Sequence, residues 1–184
     1  MVKIGFICEG DTEKILVQSE NFQNFLLEKN LLLVNAIDAT GNGNLLPKNI
    51  QPFIKILKDD GAEKIFILTD LDTDKCITKT KERINAPDGI VVIISIRQIE
   101  AWFLADRITL SSIFKSKYFF EYPEKEINPR EKLKEIFIEK TRRGIMDSKP
   151  RFAKWIIKEG FSVLNAAHHP NCDSAKYFIY ALVK

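Results

Sequence analysis

The sequence predicts an α/β fold: a mostly parallel sheet of about four strands flanked by helices, with a C-terminal helical extension. Three observations lead there. The first hundred residues alternate near-continuous apolar runs with amphipathic segments, the pattern of a parallel sheet covered on both faces. After Arg97 the strand-like runs stop and only helical periodicity continues. The chain of 184 residues is 45% hydrophobic and 29% charged, the composition of a globular protein with one sizeable core.

Taken in order, "KIGFIC" (3–8) reads as a buried strand. "TEKILVQSENFQNFLLEKN" (12–30) places Ile15, Leu16, Phe22, Phe25 and Leu26 near helical spacing. "LLLVNAI" (31–37) is a second strand, followed by the loop "DATGNGN" (38–44). "LPKNIQPFIKILKDD" (46–60) reads as a helix with Pro47 in its first turn. "EKIFILTDLDTD" (63–74) is a third strand running into acids, "KCITKTKERIN" (75–85) a helix, and "GIVVIISI" (89–96) a fourth strand. The helical remainder comprises "RQIEAWFLAD" (97–106), "NPREKLKEIFIEKTRRG" (128–144), "DSKPRFAKWIIKEG" (147–160) and "CDSAKYFIYALVK" (172–184). The simplest division is an α/β core over residues 1–106 and a helical extension over 107–184 packed on the same domain.

No apolar run approaches a membrane span, and the N-terminus lacks a basic leader and a small-residue cleavage site. The expected location is the cytoplasm. Cys8, Cys76 and Cys172 are too far apart for a disulfide framework or a structural zinc site, and Cys8 is expected to be a buried thiol. Charge is uneven. Residues 1–106 hold 12 lysines and arginines against 16 aspartates and glutamates, a net of −4, whereas residues 107–158 hold 14 against 7, a net of +7. Such asymmetry suits a metal-holding site beside a surface for a polyanion, or a solvated lysine-rich helical face.

Ligands of a parallel sheet collect outside the carboxyl ends of its strands. Two acidic clusters fall there: Glu9 after the first strand, with Glu13 close behind, and Asp70, Asp72 and Asp74 after the third. If the strand stays extended through "TDLDTD", its three aspartates share one face. Carboxylates so close repel unless neutralised, and Mg2+ does that while keeping waters for a substrate phosphate. On the helix of residues 99–106, Ile99, Trp102 and Phe103 share a core face, Glu100 is either exposed or directed into the site, and Asp106 marks the helix end.

The residues resemble a known fold family. A first strand ending in a Glu-Gly turn, "CEGDTE", and a later strand ending in D-x-D, "TDLDTD", are similar to the Toprim domain of topoisomerases, primases and OLD-family nucleases, a Rossmann-like fold. With "IEAWFLAD" and the closing "NCDSAKYFIYAL", the chain resembles an uncharacterised Toprim-like bacterial family (domain of unknown function 4276), related to the RloB-like proteins of defence loci. Asp173 stands where that family carries proline. The resemblance implies Glu9 as the catalytic or metal-ordering glutamate and Asp70 and Asp72 as the pair binding Mg2+ or Mn2+. Asp74, Glu13 and Glu100 are further candidates. It also implies phosphodiester cleavage of DNA or RNA, with a separately encoded ATPase as partner in anti-phage defence.

Other features weigh less. The loop of residues 39–50 has Gly41 and Gly43 before a helix but no nucleotide-binding signature, so it reads as a flexible connection, with Lys48 able to meet a phosphate. Arg142, Arg143, Lys149 and Arg151 form the densest basic cluster and are candidate phosphate contacts, with a solvated surface as the other reading. His168 and His169 lack a ligand-spaced acid pair. Two other functions compete: a haloacid-dehalogenase-like phosphatase, from the D-x-D after a strand, and a Toprim module that binds nucleic acid or protein without catalysis.

Overall fold

A computed structural model describes residues 1–72 and 74–184; position 73, inside the "TDLDTD" segment, lies outside the described residues. Two compact units divide the chain, Met1–Ile94 and Ser95–Lys184. The expected boundary at 106 thus moves back to Ser95, and the "IEAWFLAD" helix belongs to the helical unit, where all its residues are buried.

The first unit is a Rossmann-like α/β fold built on a four-stranded parallel sheet, in the order β2-β1-β3-β4. Strand β1 (Val2–Cys8) is central and buried from Ile4 to Cys8, as a strand with neighbours on both edges and helices on its faces must be. It pairs with β2 (Leu31–Asp38) from Val2↔Leu31 to Cys8↔Asp38 and with β3 (Lys64–Asp70) from Ile4↔Lys64 to Cys8↔Leu68. Strand β4 (Ile90–Ser95) completes the sheet. Phe6 of β1 stacks on Phe66 of β3 with centroids 5.4 Å apart. At Gly5 the helix α3 (Gln51–Asp59) comes so close that a Cβ would lie 2.9 Å from a Leu57 methyl. Glycine here permits a close helix–strand approach.

Two boundaries differ from the sequence expectation. Residues 12–30 form two helices, α1 (Asp11–Val17) and α2 (Glu20–Glu28). They part at Ser19, whose hydroxyl donates to the Leu16 carbonyl at 2.6 Å, offering the backbone an alternative to helix. Helix α3 starts at Gln51 with Pro52 in its first turn, not at Pro47. Leu46 precedes Pro47 and is extended (ψ 153°), the conformation a following proline imposes. A short 3-10 turn, Asn42–Leu45, occupies the preceding loop. Helix α4 (Ile77–Ile84) follows the acidic segment.

The second unit is all helical: α5 (Glu100–Ala105), α6 (Arg107–Phe114), α7 (Pro129–Thr141), α8 (Lys149–Lys158), α9 (Val163–Ala167) and α10 (Asp173–Val183). Its core centres on α5. Trp102 stacks on Phe178 at 5.4 Å, and Phe103 meets Phe161 edge to face at 4.7 Å. Asp106 ends α5 as expected and also caps α6. Its carboxylate accepts the Ile108 and Thr109 amides at 3.1 and 3.0 Å, and the Ser162 amide at 3.1 Å ties in the start of α9. Among the described residues no helix is long and apolar enough to cross a membrane.

Candidate acidic site at the carboxyl edge of the sheet

The chain leaves β1 for β2 on one side and then adds β3 on the other, so the strand order reverses between β1 and β3. Outside the carboxyl ends of that pair lies the crevice where open α/β sheets bind ligands. Glu9 and Asp70 are the residues placed there.

Glu9 extends the ladder by one bond, its amide donating to the Leu68 carbonyl at 2.9 Å. Its side chain turns back onto the end of β3. One carboxylate oxygen accepts the Thr69 hydroxyl and, at 3.2 Å, the Asp70 amide. The other has no hydrogen-bond partner among the described residues. Thr69 is fully buried and Asp70 nearly so. The loop after β2 joins the same edge: Ala39 donates to the Cys8 carbonyl and Gly41 to the Glu9 carbonyl, each at 2.8 Å. Asp38 accepts the Thr40 amide at 2.6 Å, and Asn44 donates to the Ala39 carbonyl at 2.7 Å. Thr40 itself has φ 58°, a left-handed conformation unusual for a β-branched residue. The loop read as a flexible connection thus carries a hydrogen-bonded turn, and a Cβ added at Gly41 or Gly43 would meet nothing within 4 Å.

The glutamate that follows is spent otherwise. Gly10 is extended (φ −151°) and is the N-cap position of α1; the buried Glu13 carboxylate accepts its amide at 3.1 Å. The turn thus uses Glu13 as its cap and does not call on the left-handed freedom of glycine. Cys8 is buried as expected. Desolvation, with Glu13 and Asp38 nearby, pushes its thiol well above the usual range.

The three aspartates do not line one extended face. Strand β3 stops at Asp70, Leu71 is buried, and Asp72 is left-handed with φ 47°. The Asp74 amide closes a turn onto the Leu71 carbonyl at 3.0 Å. Asp74 is then drawn to α4, where its carboxylate accepts the Thr80 hydroxyl at 2.8 Å and the Arg83 guanidinium at 3.1 and 3.2 Å. Those partners, Thr80 first, hold Asp74 below the usual carboxylate range. Among the described residues no group of three or more His, Cys, Asp or Glu is arranged to hold a metal ion.

Other candidates lie in the helical unit. Glu100 is neither exposed nor hydrogen-bonded: it is 1% exposed, with Lys149 Nζ at 3.3 Å and Arg130 Nη1 at 3.9 Å from one oxygen. Lys149 therefore leaves the basic cluster to neutralise a buried carboxylate. Arg142, Arg143 and Arg151 are exposed and make no ion pair among the described residues. Lys48 is likewise exposed, in the turn before α3. His169 is buried and stacks on Phe119 at 4.9 Å, while His168 is exposed.

Sequence reading passed over Thr69. Its signal was present: a hydroxyl residue directly before the first aspartate, at the strand end level with Glu9. Comparison with family models, curated proteins and solved structures found no match to this chain.

Proposed function

We propose that this chain is a Mg2+- or Mn2+-dependent phosphodiester-cleaving enzyme of the Toprim-like type, acting on DNA or RNA. The observation that carries the proposal is the clamped Glu9 at the sheet's switch point, one oxygen held by Thr69 and Asp70 and the other without a hydrogen-bond partner. Glu9 and Asp70 offer carboxylate oxygens there, donors of the kind a hard cation takes, and Mg2+ commonly takes one or two carboxylates and completes its shell with water and substrate phosphate; Asp72, beyond the end of β3, is a ligand on the resemblance alone. Glu13 and Asp74 are left out of this reading because the first is bonded to the Gly10 amide at the start of α1 and the second to Thr80 and Arg83 of α4. When bound, such a cation neutralises charge developing on phosphate and makes a coordinated water more acidic. The chain's own part is to hold the Glu9 carboxylate in one orientation, so that its second oxygen accepts a proton from water or joins the ligand set.

The resemblance to the Toprim-like family supports the same reading, and it alone supplies an ATPase partner and a place in phage defence. The deciding experiment is a cleavage panel on single- and double-stranded DNA and RNA, with Mg2+, Mn2+ or chelator, run beside Glu9→Gln. Metal-dependent cutting that Glu9→Gln abolishes supports the proposal. Nucleic-acid binding without cutting under any metal favours the non-catalytic module.

A further inference from the structure

The helical unit contains a cavity of about 340 Å³ beside the α7–α8 connection, within the size range of small-ligand sites. Phe137, Phe152 and Trp155 wall it, with Ile113 and Met146, and Arg143 lines it as its cation. The rings form one cluster: Trp155 lies 5.7 Å from both Phe137 and Phe152, which meet each other edge to face at 5.8 Å. Trp155 is part exposed, while the two phenylalanines behind it are buried.

The connection is fastened at both ends. The Thr141 hydroxyl donates to the Phe137 carbonyl at 2.7 Å and accepts the Arg143 amide at 3.2 Å. Arg130 donates to the Met146 carbonyl at 2.8 Å and also to that of Asp147. Arg142 and Arg143, between these fastenings, are exposed and make no ion pair among the described residues. The pocket is therefore preformed, aromatic inside, and supplied with positive charge.

We propose that this pocket holds one unpaired nucleobase of a single-stranded nucleic acid, stacked on Trp155, with Arg143 on the adjoining phosphate. An aromatic platform beside a cation is how proteins grip single strands without reading their sequence. A base inside a duplex has both faces covered and does not fit this role. The choice of ligand rests on the nucleic-acid reading above.

The test is binding in chelator, where no metal-dependent cutting occurs. The full chain is titrated with short oligo(dT), oligo(U), oligo(dT) annealed to oligo(dA), and thymidine monophosphate, following tryptophan fluorescence. Trp102 is fully buried, so the change reports Trp155. Labelled-oligonucleotide anisotropy gives affinity independently. Saturable quenching by single strands and little by duplex is expected; quenching by the mononucleotide as well would place base and phosphate in the same pocket. Trp155→Leu should weaken single-strand affinity about tenfold, with Trp155→Phe partly restoring it. Arg143→Ala, a surface change, should lower the log-log salt slope by about 0.7.

Unchanged affinity and slope in both Trp155→Leu and Arg143→Ala overturns the proposal, as does quenching by benzoate that oligonucleotides fail to displace. The two readings fail separately. Cleavage that persists with Trp155 unaffected removes the pocket and leaves the enzyme, whereas Trp155-dependent binding without cleavage removes the enzyme and leaves the pocket.

Discussion

Thr69 decides how Glu9 is presented. Its buried hydroxyl and the Asp70 amide share one Glu9 oxygen, which fixes the carboxylate and leaves its partner oxygen uncommitted. Glu9→Gln keeps size and removes the charge. The expected result is a folded protein that still binds nucleic acid but cuts it 100-fold or more slowly, about 2.7 kcal/mol of barrier at 1.36 per tenfold. Asp11→Asn, at an exposed position in the first turn of α1, should leave the rate unchanged in the same assay. Thr69→Val keeps the branched shape and deletes the hydroxyl. It should cost about 1 kcal/mol in urea unfolding and slow cleavage by about tenfold, because the carboxylate keeps only one of its two donors; a full wild-type rate would make the clamp irrelevant to catalysis.

Elements in this protein are closed by side chains from distant parts of the sequence. Helix α10 begins at Asp173, and its N-cap residue Cys172 makes no side-chain cap bond. Glu124, from the 3-10 turn Pro123–Lys125, accepts the Asp173 and Ser174 amides at 3.0 and 2.8 Å, placing a carboxylate at the positive end of the helix. The Ser174 hydroxyl donates to the same carboxylate and accepts the buried Trp102 indole N–H at 2.7 Å. The segments 99–106 and 171–182 thus meet in one hydrogen bond. Ser174→Ala strands the indole N–H in the core. It should destabilise the chain by about 1–3 kcal/mol in urea unfolding and alter the near-ultraviolet dichroism of Trp102.

For the molecule as a whole, ligand and proton linkage are the measurable quantities. If Asp70 and Asp72 bind Mg2+, millimolar metal should raise the melting temperature, since metal at a hundredfold excess over Kd adds about 2.7 kcal/mol. Asp70→Asn and Asp72→Asn should each abolish that rise while leaving the metal-free melt unchanged or slightly higher, because carboxylate repulsion is relieved. No metal-dependent rise in the wild type would remove the cation from the mechanism. Protons act through His169. Burial lowers its pKa, and nearby Lys176 and Arg107 push the same way against the Phe120 backbone. The unfolded chain takes up a proton near the ordinary value of about 6.5, while the folded chain does so only at lower pH. The stability linked to His169 is therefore fully present above that value and is lost as pH falls below it toward the folded one. His169→Gln should flatten this segment of the urea-midpoint profile below pH about 6.5, the ordinary histidine value.

Taken by itself, the sequence determined the order of the four strands and of most helices (α6 and α9 were not legible in it), the parallel sheet flanked by helices, the burial of Cys8 and Trp102, and the placing of Glu9 and Asp70 at strand ends. All of these follow from periodicity and from residues adjacent in the chain, which local sequence encodes directly. The tertiary structure decided how each acid is used. Glu13 caps α1, Asp74 turns to Arg83, Asp72 leaves the strand through a left-handed turn, and Glu100 is buried against Lys149 and Arg130. A carboxylate reads the same in sequence whether it caps, pairs or stays available; its role depends on which donors or charges the fold brings to it, and for Glu9 and Glu100 those partners lie far along the chain. The break at Ser19 and the start of α3 at Gln51 were lost for a related reason: a hydroxyl–carbonyl bond and a proline's steric demand override helical periodicity within a single turn.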